Sequence, residues 1–250
     1  MTNYLDHGNP KVTLNSNILD VVVPKEMERN VSTGMVHADV LFSGDGITPS
    51  TVTLFTGIPG SGKTSFGIQL ADAITGTGNV AMYNTGEESL YQVRKVTKRF
   101  NLKHGFVPSY ETDVDSLIAK AEQLRLQNKG KQLFLFQDSL QTLLVTHEAR
   151  RGRPQGNLNN QVEAAARLTA WAKKTYTIVF IIGQVNKDGV FAGKQEIKHI
   201  IDCHLHLAVD MDRKSETHGR RIAEMQKNRT GSSGLYFEYE IGAAGVRFIG

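Results

Sequence analysis

The chain has 250 residues, of which 22% are charged and 40% hydrophobic, an ordinary composition for a globular protein. This length suits one α/β domain with a large core, or two small domains at most. A single cysteine, Cys203, excludes an internal disulfide and a thiolate zinc cluster. No apolar run approaches the ~20 residues of a membrane helix, and no secretory signal pattern opens the chain. We therefore expect a cytoplasmic protein, and the net charge of +4 does not by itself indicate a nucleic-acid binder.

The predicted elements begin with a weakly patterned segment. Residues 1–30 are polar, apart from one apolar stretch at Ile18–Val23, and favour an arm or linker ahead of a core over residues 31–250. From residue 51, short apolar runs alternate with helical periods. Strands are predicted at Thr51–Thr56, Val80–Asn84, Leu133–Phe136 and Thr177–Ile182. Helices are predicted in the stretch after Lys63 that Gly76 ends, from Ser89 through Phe100, after Thr112 or Asp113, and over roughly 160–174.

The last third of the chain changes character. Four further strands, joined by glycines and charged turns, are predicted at Cys203–Val209, Arg221–Gln226, Leu235–Ile241 and Val246–Ile249. The preceding βαβ series indicates parallel strands, and Leu133–Phe136 has the unbroken apolar character of a central one. Together these patterns predict an α/β fold with a mostly parallel central sheet, helices on both faces and a β-rich C-terminal part.

A phosphate-binding loop is predicted between the first strand and its helix. The segment matches G-x-x-x-x-G-K-[ST] and consists of Gly57, Ile58, Pro59, Gly60, Ser61, Gly62, Lys63 and Thr64, with Ser65 next to it. Glycines let backbone N–H groups converge on phosphate oxygens, and the helix directs its positive end at the same charge. Lys63 is then expected to reach the terminal phosphates of ATP and Thr64 to ligate Mg²⁺.

Asp138 closes the apolar strand Leu133–Phe136 after one intervening residue. In this class of site, the second residue that helps to hold Mg²⁺ is a carboxylate at the end of a buried strand near the phosphate loop. The alternative is a helix cap for the segment that begins at Ser139.

Two acids, Glu87 and Glu88, follow the strand Val80–Asn84 through a turn. Hydrolysis requires a carboxylate that orients and deprotonates the attacking water. The alternative is that both acids only decorate a helix N-terminus, where negative charge is favourable. The residues themselves do not decide between these interpretations.

Five segments in order resemble the RadA/Sms branch of the RecA-like ATPases. They are Ser32–Gly34 with Asp39, Asn84–Ser89 with Gln92, Asp138–Thr142, Lys187–Gly189 with Ala192-Gly193, and Lys227–Gly231. The resemblance implies a RecA-like P-loop NTPase that forms rings, is stimulated by DNA and moves along single-stranded DNA in recombination and branch migration. Thr230 stands where the family signature has Phe, and in this respect Lys227–Gly231 also looks like the finger strand of DnaB-type replicative helicases.

The resemblance also implies roles for individual residues. Glu87 becomes the preferred water-activating base, with Glu88 second, and Gln184 senses the γ-phosphate. Lys227 and Arg229 become fingers that reach the ATP of a neighbouring subunit, where positive charge stabilises the transition state. Without the resemblance, Lys227 and Arg229 would be interpreted as a solvated basic turn.

Two basic loops are candidates for contact with single-stranded DNA. The segment 148–160 carries Arg150, Arg151 and Arg153, whose charges would neutralise phosphates without reading bases. The segment 187–198 carries Lys187, Phe191, Lys194 and Lys198, and the phenylalanine ring could stack on a base. The alternative is a pair of solvated basic loops.

Three functional alternatives stay open beside the DNA-dependent motor: a strand-exchange recombinase, a replicative-type helicase, and a nucleotide-switched regulatory ATPase with a protein partner. The cluster of His199, Asp202, Cys203, His204 and His206 also invites a metal site, but an ordinary strand with polar and apolar faces is favoured. Trp171 is interpreted as a core or interface residue.

Overall fold

The computed structural model describes residues 9–10, 13–42, 44–146, 158–184 and 195–249. The strands in these residues are β1 (Val52–Gly57), β2 (Val80–Thr85), β3 (Val107–Ser109), β4 (Leu133–Asp138), β5 (Ile178–Ile182), β6 (Cys203–Val209), β7 (Arg221–Asn228), β8 (Tyr236–Gly242) and β9 (Gly245–Ile249). The helices are α1 (Val36–Phe42), α2 (Lys63–Gly76), α3 (Leu90–Arg99), α4 (Val114–Gln127), α5 (Leu158–Thr175) and α6 (Gln195–Ile200).

All nine of these strands join one sheet, in the order β3-β2-β4-β5-β1-β6-β7-β8-β9. The first six strands of that order pair in parallel, and β6 to β9 pair antiparallel. The parallel strands therefore end together along one side, called here the carboxyl edge, where Gly57 lies opposite Leu207. The opposite side is the amino edge. The predicted mostly parallel sheet with a β-rich C-terminal part is confirmed.

Helices cover both faces of the parallel strands, as their unbroken apolar runs require. On one face, α1, α2 and α3 pack over an aromatic row in which the Phe136 and Phe180 ring centroids lie 4.6 Å apart and those of Phe55 and Phe180 5.2 Å apart. On the other face, α4, α5 and α6 pack over the leucines and valines of the same strands. Trp171 of α5 belongs to this second core, and its indole N–H donates to Glu122 at 3.2 Å.

Local signals explain where several helices begin. Ser89 and Gln92 form the predicted capping box at the start of α3, and Asp113, rather than Thr112, caps α4 by accepting the Ser116 N–H. The 3₁₀ turn after β4 has Ser139 as its N-cap residue, so Asp138 is not the helix cap that was its alternative interpretation.

Three elements were not predicted: α1, β3 and α6. The expectation of a loop through Lys198 is wrong at its end, because Gln195–Ile200 is helical. Burial explains the helix, since Ile197 is fully buried in the second core. Short helices of this kind are stabilised by packing more than by intrinsic propensity, and their sequences contain too few residues to show a period.

The described part of residues 1–30 contains two 3₁₀ turns, Ile18–Asp20 and Lys25–Met27, and its apolar side chains Leu14, Leu19 and Val22 are exposed. The chain joins the sheet-bearing body at Val31, which exchanges backbone hydrogen bonds with Ile47. Across the described ranges, no helix is long and apolar enough to cross a membrane.

Candidate active site

The predicted phosphate loop connects the central strand β1 to α2 at the carboxyl edge. Gly62 takes the N-cap position of α2 with φ +96°, a left-handed conformation that glycine adopts without a Cβ penalty. A Cβ on Gly62 would also lie 2.5 Å from Ile241 Cδ1, so that side chain would have to move in addition to the backbone strain. The loop thus presents backbone, and the N–H groups of the first turn of α2 are free of intrahelical partners.

Lys63 folds back over this loop. Its Nζ donates to the carbonyl oxygens of Gly57 at 2.7 Å and Ile58 at 3.1 Å, and the residue is buried. Burial lowers the pKa of the Lys63 ammonium, and the carboxylates of Asp138 and Glu87 oppose that shift. The ammonium is therefore held at the loop, and a phosphate is a stronger acceptor than the carbonyls it now contacts.

Thr64 and Asp138 lie together, as the sequence predicted. The Thr64 hydroxyl donates to Asp138 Oδ2 at 2.7 Å, and the buried Tyr83 hydroxyl donates to the same oxygen at 2.8 Å. Burial raises the pKa of the Asp138 carboxyl, although both hydrogen bonds act to lower it. Tyr83 was not singled out by its sequence position, because an aromatic residue in a strand is more often a core residue.

This arrangement fits a magnesium ion. A threonine hydroxyl and a carboxylate are hard oxygen donors of the kind Mg²⁺ prefers, and Mg²⁺ in nucleotide sites is usually held by one or two such groups plus phosphates and water. Thr64 and Asp138 are hydrogen-bonded to each other, so both would face one ion.

Glu87 and Glu88 differ in their surroundings. Glu87 Oε1 accepts a hydrogen bond from the Ser139 hydroxyl and one from Gln184 Nε2 at 2.9 Å. Glu88 contacts the Thr85 hydroxyl through its backbone: its N–H lies 3.1 Å and its carbonyl oxygen 3.0 Å from that hydroxyl. The strand β5, which ends before Gln184, lies between β4 and β1, so the glutamine joins the Glu87 turn to the centre of the sheet.

A buried chain of amides supports the Glu87 turn. Asn84 Nδ2 donates to Gln137 Oε1 at 2.7 Å, and Gln137 Nε2 donates to the Ser139 carbonyl at 2.7 Å. Gly86 allows a close approach, because a Cβ there would collide with the Thr142 side chain. Asn84 belongs to a segment that resembles the RadA/Sms branch, and Gln137 directly precedes another. Here they have a structural role: they tie β2 to β4 beneath Glu87.

The histidines of β6 contact the last residue before the phosphate loop. The Thr56 hydroxyl lies 2.7 Å from His204 Nε2 and 2.8 Å from His206 Nδ1. Burial lowers the pKa of His204 to about 3 and lowers that of His206. No group of three potential metal ligands occurs among the described residues.

The two candidate fingers, Lys227 and Arg229, lie away from the phosphate loop of their own chain. The β7 strand runs antiparallel to β6, so Lys227 pairs with His204 towards the amino edge. Lys227 Nζ donates to the carbonyls of Lys198 and Ile201 at 2.6 Å each, and Arg229 Nη2 donates to the His199 carbonyl at 2.9 Å. Burial lowers the pKa of the Lys227 ammonium, and the nearby Arg229 cation lowers it further.

The expected DNA-contacting residues are only partly placed. Lys198 lies on α6 and is half-buried. The remaining six lie outside the described residues: Arg150, Arg151, Arg153, Lys187, Phe191 and Lys194.

The C-terminal strands contribute groups that the sequence did not reveal. Arg221 of β7 donates to the Gly60 carbonyl at 3.0 Å, and Tyr239 of β8 donates to the Ser61 carbonyl at 2.6 Å. On α2, Gln69 Oε1 accepts the Val246 N–H at 2.7 Å. These contacts span about 160 to 180 residues of chain, and no local pattern predicts a pairing over that separation.

The fold and the phosphate loop define a P-loop NTPase of the RecA-like class. The structure superposes on that of a DnaB-like replicative helicase with a TM-score of 0.70, covering 86% of this chain and 60% of that one at 15% identity. It also superposes on a KaiC-like protein from Pyrococcus horikoshii with a TM-score of 0.70, covering 89% of this chain and 99% of that one at 19% identity.

Residues 50–216, about two thirds of the chain, match the family model described as Schlafen group 3, DNA/RNA helicase domain, and the chain belongs to this family. Curated relatives include two proteins named DNA repair protein RadA. The one from Haemophilus influenzae is 32% identical over 80% of this chain, and the one from Streptococcus pneumoniae is 29% identical over 81%. The chain spans 41% and 45% of the length of these relatives, respectively. The resemblance to the RadA/Sms branch is confirmed.

Proposed function

We propose that the chain is a DNA-dependent ATPase that forms an oligomer and moves along single-stranded DNA in recombination, branch migration or repair. One observation carries the proposal. The phosphate loop and two carboxylates converge at the carboxyl edge: Asp138 is hydrogen-bonded to Thr64 of the loop, and Glu87 is held by Gln184. ATP hydrolysis requires a lysine at the phosphates, ligands for Mg²⁺ such as Thr64 and Asp138, and a second carboxylate such as Glu87.

ATP binding divides among three groups in this proposal. The loop from Gly57 to Ser65 surrounds the phosphates, Lys63 exchanges its carbonyl partners for the terminal phosphates, and Thr64 and Asp138 would hold Mg²⁺. Bound there, the ion would neutralise charge on the β- and γ-phosphates. The raised pKa of Asp138 means that its carboxylate is more easily protonated than an ordinary one, so magnesium-dependent binding weakens as the pH falls.

Glu87 is the proposed general base. A carboxylate that accepts bonds from Ser139 and Gln184 has a fixed orientation, and its free lone pairs are available to the attacking water. The Gln184 side-chain NH2 carries two donor hydrogens. One donates to Glu87, and the other would donate to a γ-phosphate oxygen, so that Gln184 connects bound ATP to the Glu87 carboxylate. Glu88 is the second candidate base.

We propose assembly into a hexameric ring, which the position of Lys227 and Arg229 supports. They lie towards the amino edge, and the phosphate loop lies at the carboxyl edge. A rigid subunit therefore offers these cations to a nucleotide of another subunit and not to its own. The names of the two relatives support DNA as the partner, and the proposed contacts are Arg150, Arg151, Arg153, Lys187, Phe191, Lys194 and Lys198.

Steady-state ATP hydrolysis, measured with and without single-stranded DNA, tests the proposal, with Lys63→Ala as the blank. We expect hydrolysis that DNA stimulates and that Lys63→Ala abolishes. Hydrolysis that does not respond to DNA would overturn the DNA-dependent motor and leave the nucleotide-switched regulatory ATPase.

A strand-separating helicase is the second candidate, supported by the description of the family to which the chain belongs. Displacement of a labelled strand from a forked duplex distinguishes it from a translocase that only moves along one strand. Closed rings in electron micrographs would count against the remaining alternative, a filament-forming recombinase.

A further inference from the structure

Two successive carbonyls of the phosphate loop face the antiparallel C-terminal strands. The Arg221 guanidinium donates to the Gly60 carbonyl at 3.0 Å, and the Tyr239 hydroxyl donates to the Ser61 carbonyl at 2.6 Å. The tyrosine is 2% exposed, and the side chains of Ile241 and Val246 come within 3.6 Å of the place that a Cβ on Gly62 would take. This set forms a support behind the loop, on the side of the C-terminal strands.

The Ser61 carbonyl determines where the next amide points. Carbonyl Ser61 O and amide Gly62 N–H belong to one planar trans peptide, in which C=O and N–H point in opposite directions. Because the carbonyl points at Tyr239, the Gly62 N–H points away from the C-terminal strands. By contrast, the Ser61 N–H of the preceding peptide is used inside the loop, where it donates to Ile58 O at 3.1 Å.

We propose that Tyr239 is a positioning residue for the phosphate site: its hydroxyl holds the Ser61–Gly62 peptide so that the Gly62 amide faces the phosphates. The inference rests on the proposed nucleotide binding and adds a determinant in the C-terminal strands. Left-handed glycine conformations make this peptide easy to rotate, so an external hydrogen bond is needed to keep one orientation.

The tyrosine is suited to this task chemically. Burial raises the pKa of the Tyr239 hydroxyl to about 12, although Arg221 acts to lower it. The hydroxyl therefore remains protonated, and remains a donor, at neutral pH and well above it. Its ring packs 6.3 Å from that of Phe248 on β9 and is thereby fixed in direction.

Tyr239→Phe tests the proposal, because it removes the donor and keeps the ring. Tyr236→Phe is the matched control, since Tyr236 lies on the same strand with 62% exposure. Calorimetric titrations use ADP with Mg²⁺ and inorganic tripolyphosphate with Mg²⁺. We expect Tyr239→Phe to weaken both ligands about fivefold, as loss of one buried hydrogen bond implies, and Tyr236→Phe to weaken neither.

Two outcomes would overturn the proposal. One is unchanged affinity for both ligands. The other is a loss confined to ADP, which would place the tyrosine at the nucleoside and not at the phosphates.

A second measurement does not depend on nucleotide binding. In the ligand-free protein, the amide ¹H–¹⁵N resonance of Gly62 should move in Tyr239→Phe and stay in place in Tyr236→Phe. An unmoved Gly62 resonance contradicts the positioning role even where the native chain binds no nucleotide. Failure of the native chain to bind either ligand, by contrast, contradicts the proposed function itself.

Discussion

The parallel and antiparallel parts of the sheet contribute differently to the candidate site. The parallel strands β1, β2, β4 and β5 end in the groups that would perform chemistry, namely the phosphate loop, Glu87, Asp138 and Gln184. The antiparallel strands β7 to β9 contribute groups that hold the loop from outside, through Arg221 and Tyr239. The candidate catalytic groups therefore lie in short segments of sequence. The position of the phosphate loop, by contrast, depends on contacts between residues that are far apart in the chain.

This difference separates two kinds of residue. A change on the parallel side should remove a chemical group and stop hydrolysis. A change behind the loop should alter affinity by a few-fold and leave the reaction intact. Lys227 and Arg229 neither take part in the candidate catalytic site of their own chain nor support its phosphate loop, because they lie away from that loop.

The largest expected effect is that of Arg229→Ala. A finger supplied by a neighbour contributes about 10³-fold or more to turnover, so hydrolysis by the assembled protein should fall by that order while ATP binding persists. The matched control is Arg247→Ala, an exposed arginine on β9 that pairs with Glu240. Mixing Arg229→Ala with Lys63→Ala subunits should restore part of the activity, since each supplies what the other lacks. Native turnover by Arg229→Ala, or no recovery on mixing, would make Arg229 a local cap of α6.

Asp138→Asn should reduce hydrolysis about 100-fold or more and at the same time raise the free energy of unfolding. Burial raises the folded-state pKa of Asp138, so keeping it ionised costs stability above that pKa. The variant should therefore be more stable than the native chain at pH 7, and the gain should vanish as the pH falls towards ~4, the pKa of a free aspartate. Thermal unfolding of both proteins between these pH values measures the difference in stability. A variant that is less stable than the native chain at pH 7 would contradict the prediction.

The buried His204 predicts acid sensitivity. Its folded pKa of about 3 lies below the ordinary 6.5, so the unfolded chain binds the proton more readily, and stability is lost as the pH falls from 6.5 towards 3. In His204→Gln this loss should be shallower, whereas His199→Gln, at an exposed position, should keep the native slope. Identical slopes for all three proteins would show that other groups govern acid unfolding.

Tyr83→Phe should have the smallest effect. The Tyr83 hydroxyl lowers the pKa of Asp138 by donating to it, so its removal raises that pKa further. As the pH is lowered, magnesium-dependent ADP binding should then be lost at a higher pH than in the native chain. Tyr91→Phe, at an exposed residue, is the control. A midpoint that stays in place would exclude a role of Tyr83 at the carboxylate.

Much of the parallel side was predictable because its signals are local. The glycine-rich loop, the strand that ends at Asp138 and the capping box at Ser89 each lie within a few residues, and periodicity or spacing is enough to find them. The fold class followed from the alternation of such segments.

The supporting groups were not predictable for a physical reason. Tyr83, Gln137 and Tyr239 look like ordinary strand residues, and only the strand order brings Tyr83 to Asp138 and Tyr239 to the loop. The short elements α1 and α6 contain too few residues to show a helical period, and packing rather than propensity stabilises them.

The most direct measurement of the central claim compares Glu87→Gln with Glu88→Gln in single-turnover ATP hydrolysis, with ATP affinity measured in parallel. Glu87 is held by Ser139 and Gln184 at the carboxyl edge, and a general base contributes about 10²- to 10⁴-fold. We expect Glu87→Gln to bind ATP with native affinity and lose hydrolysis by that factor, and Glu88→Gln to lose less than about tenfold. Near-native hydrolysis by Glu87→Gln, or the larger loss in Glu88→Gln, would contradict the assignment of the carboxyl edge as the catalytic centre built around Glu87.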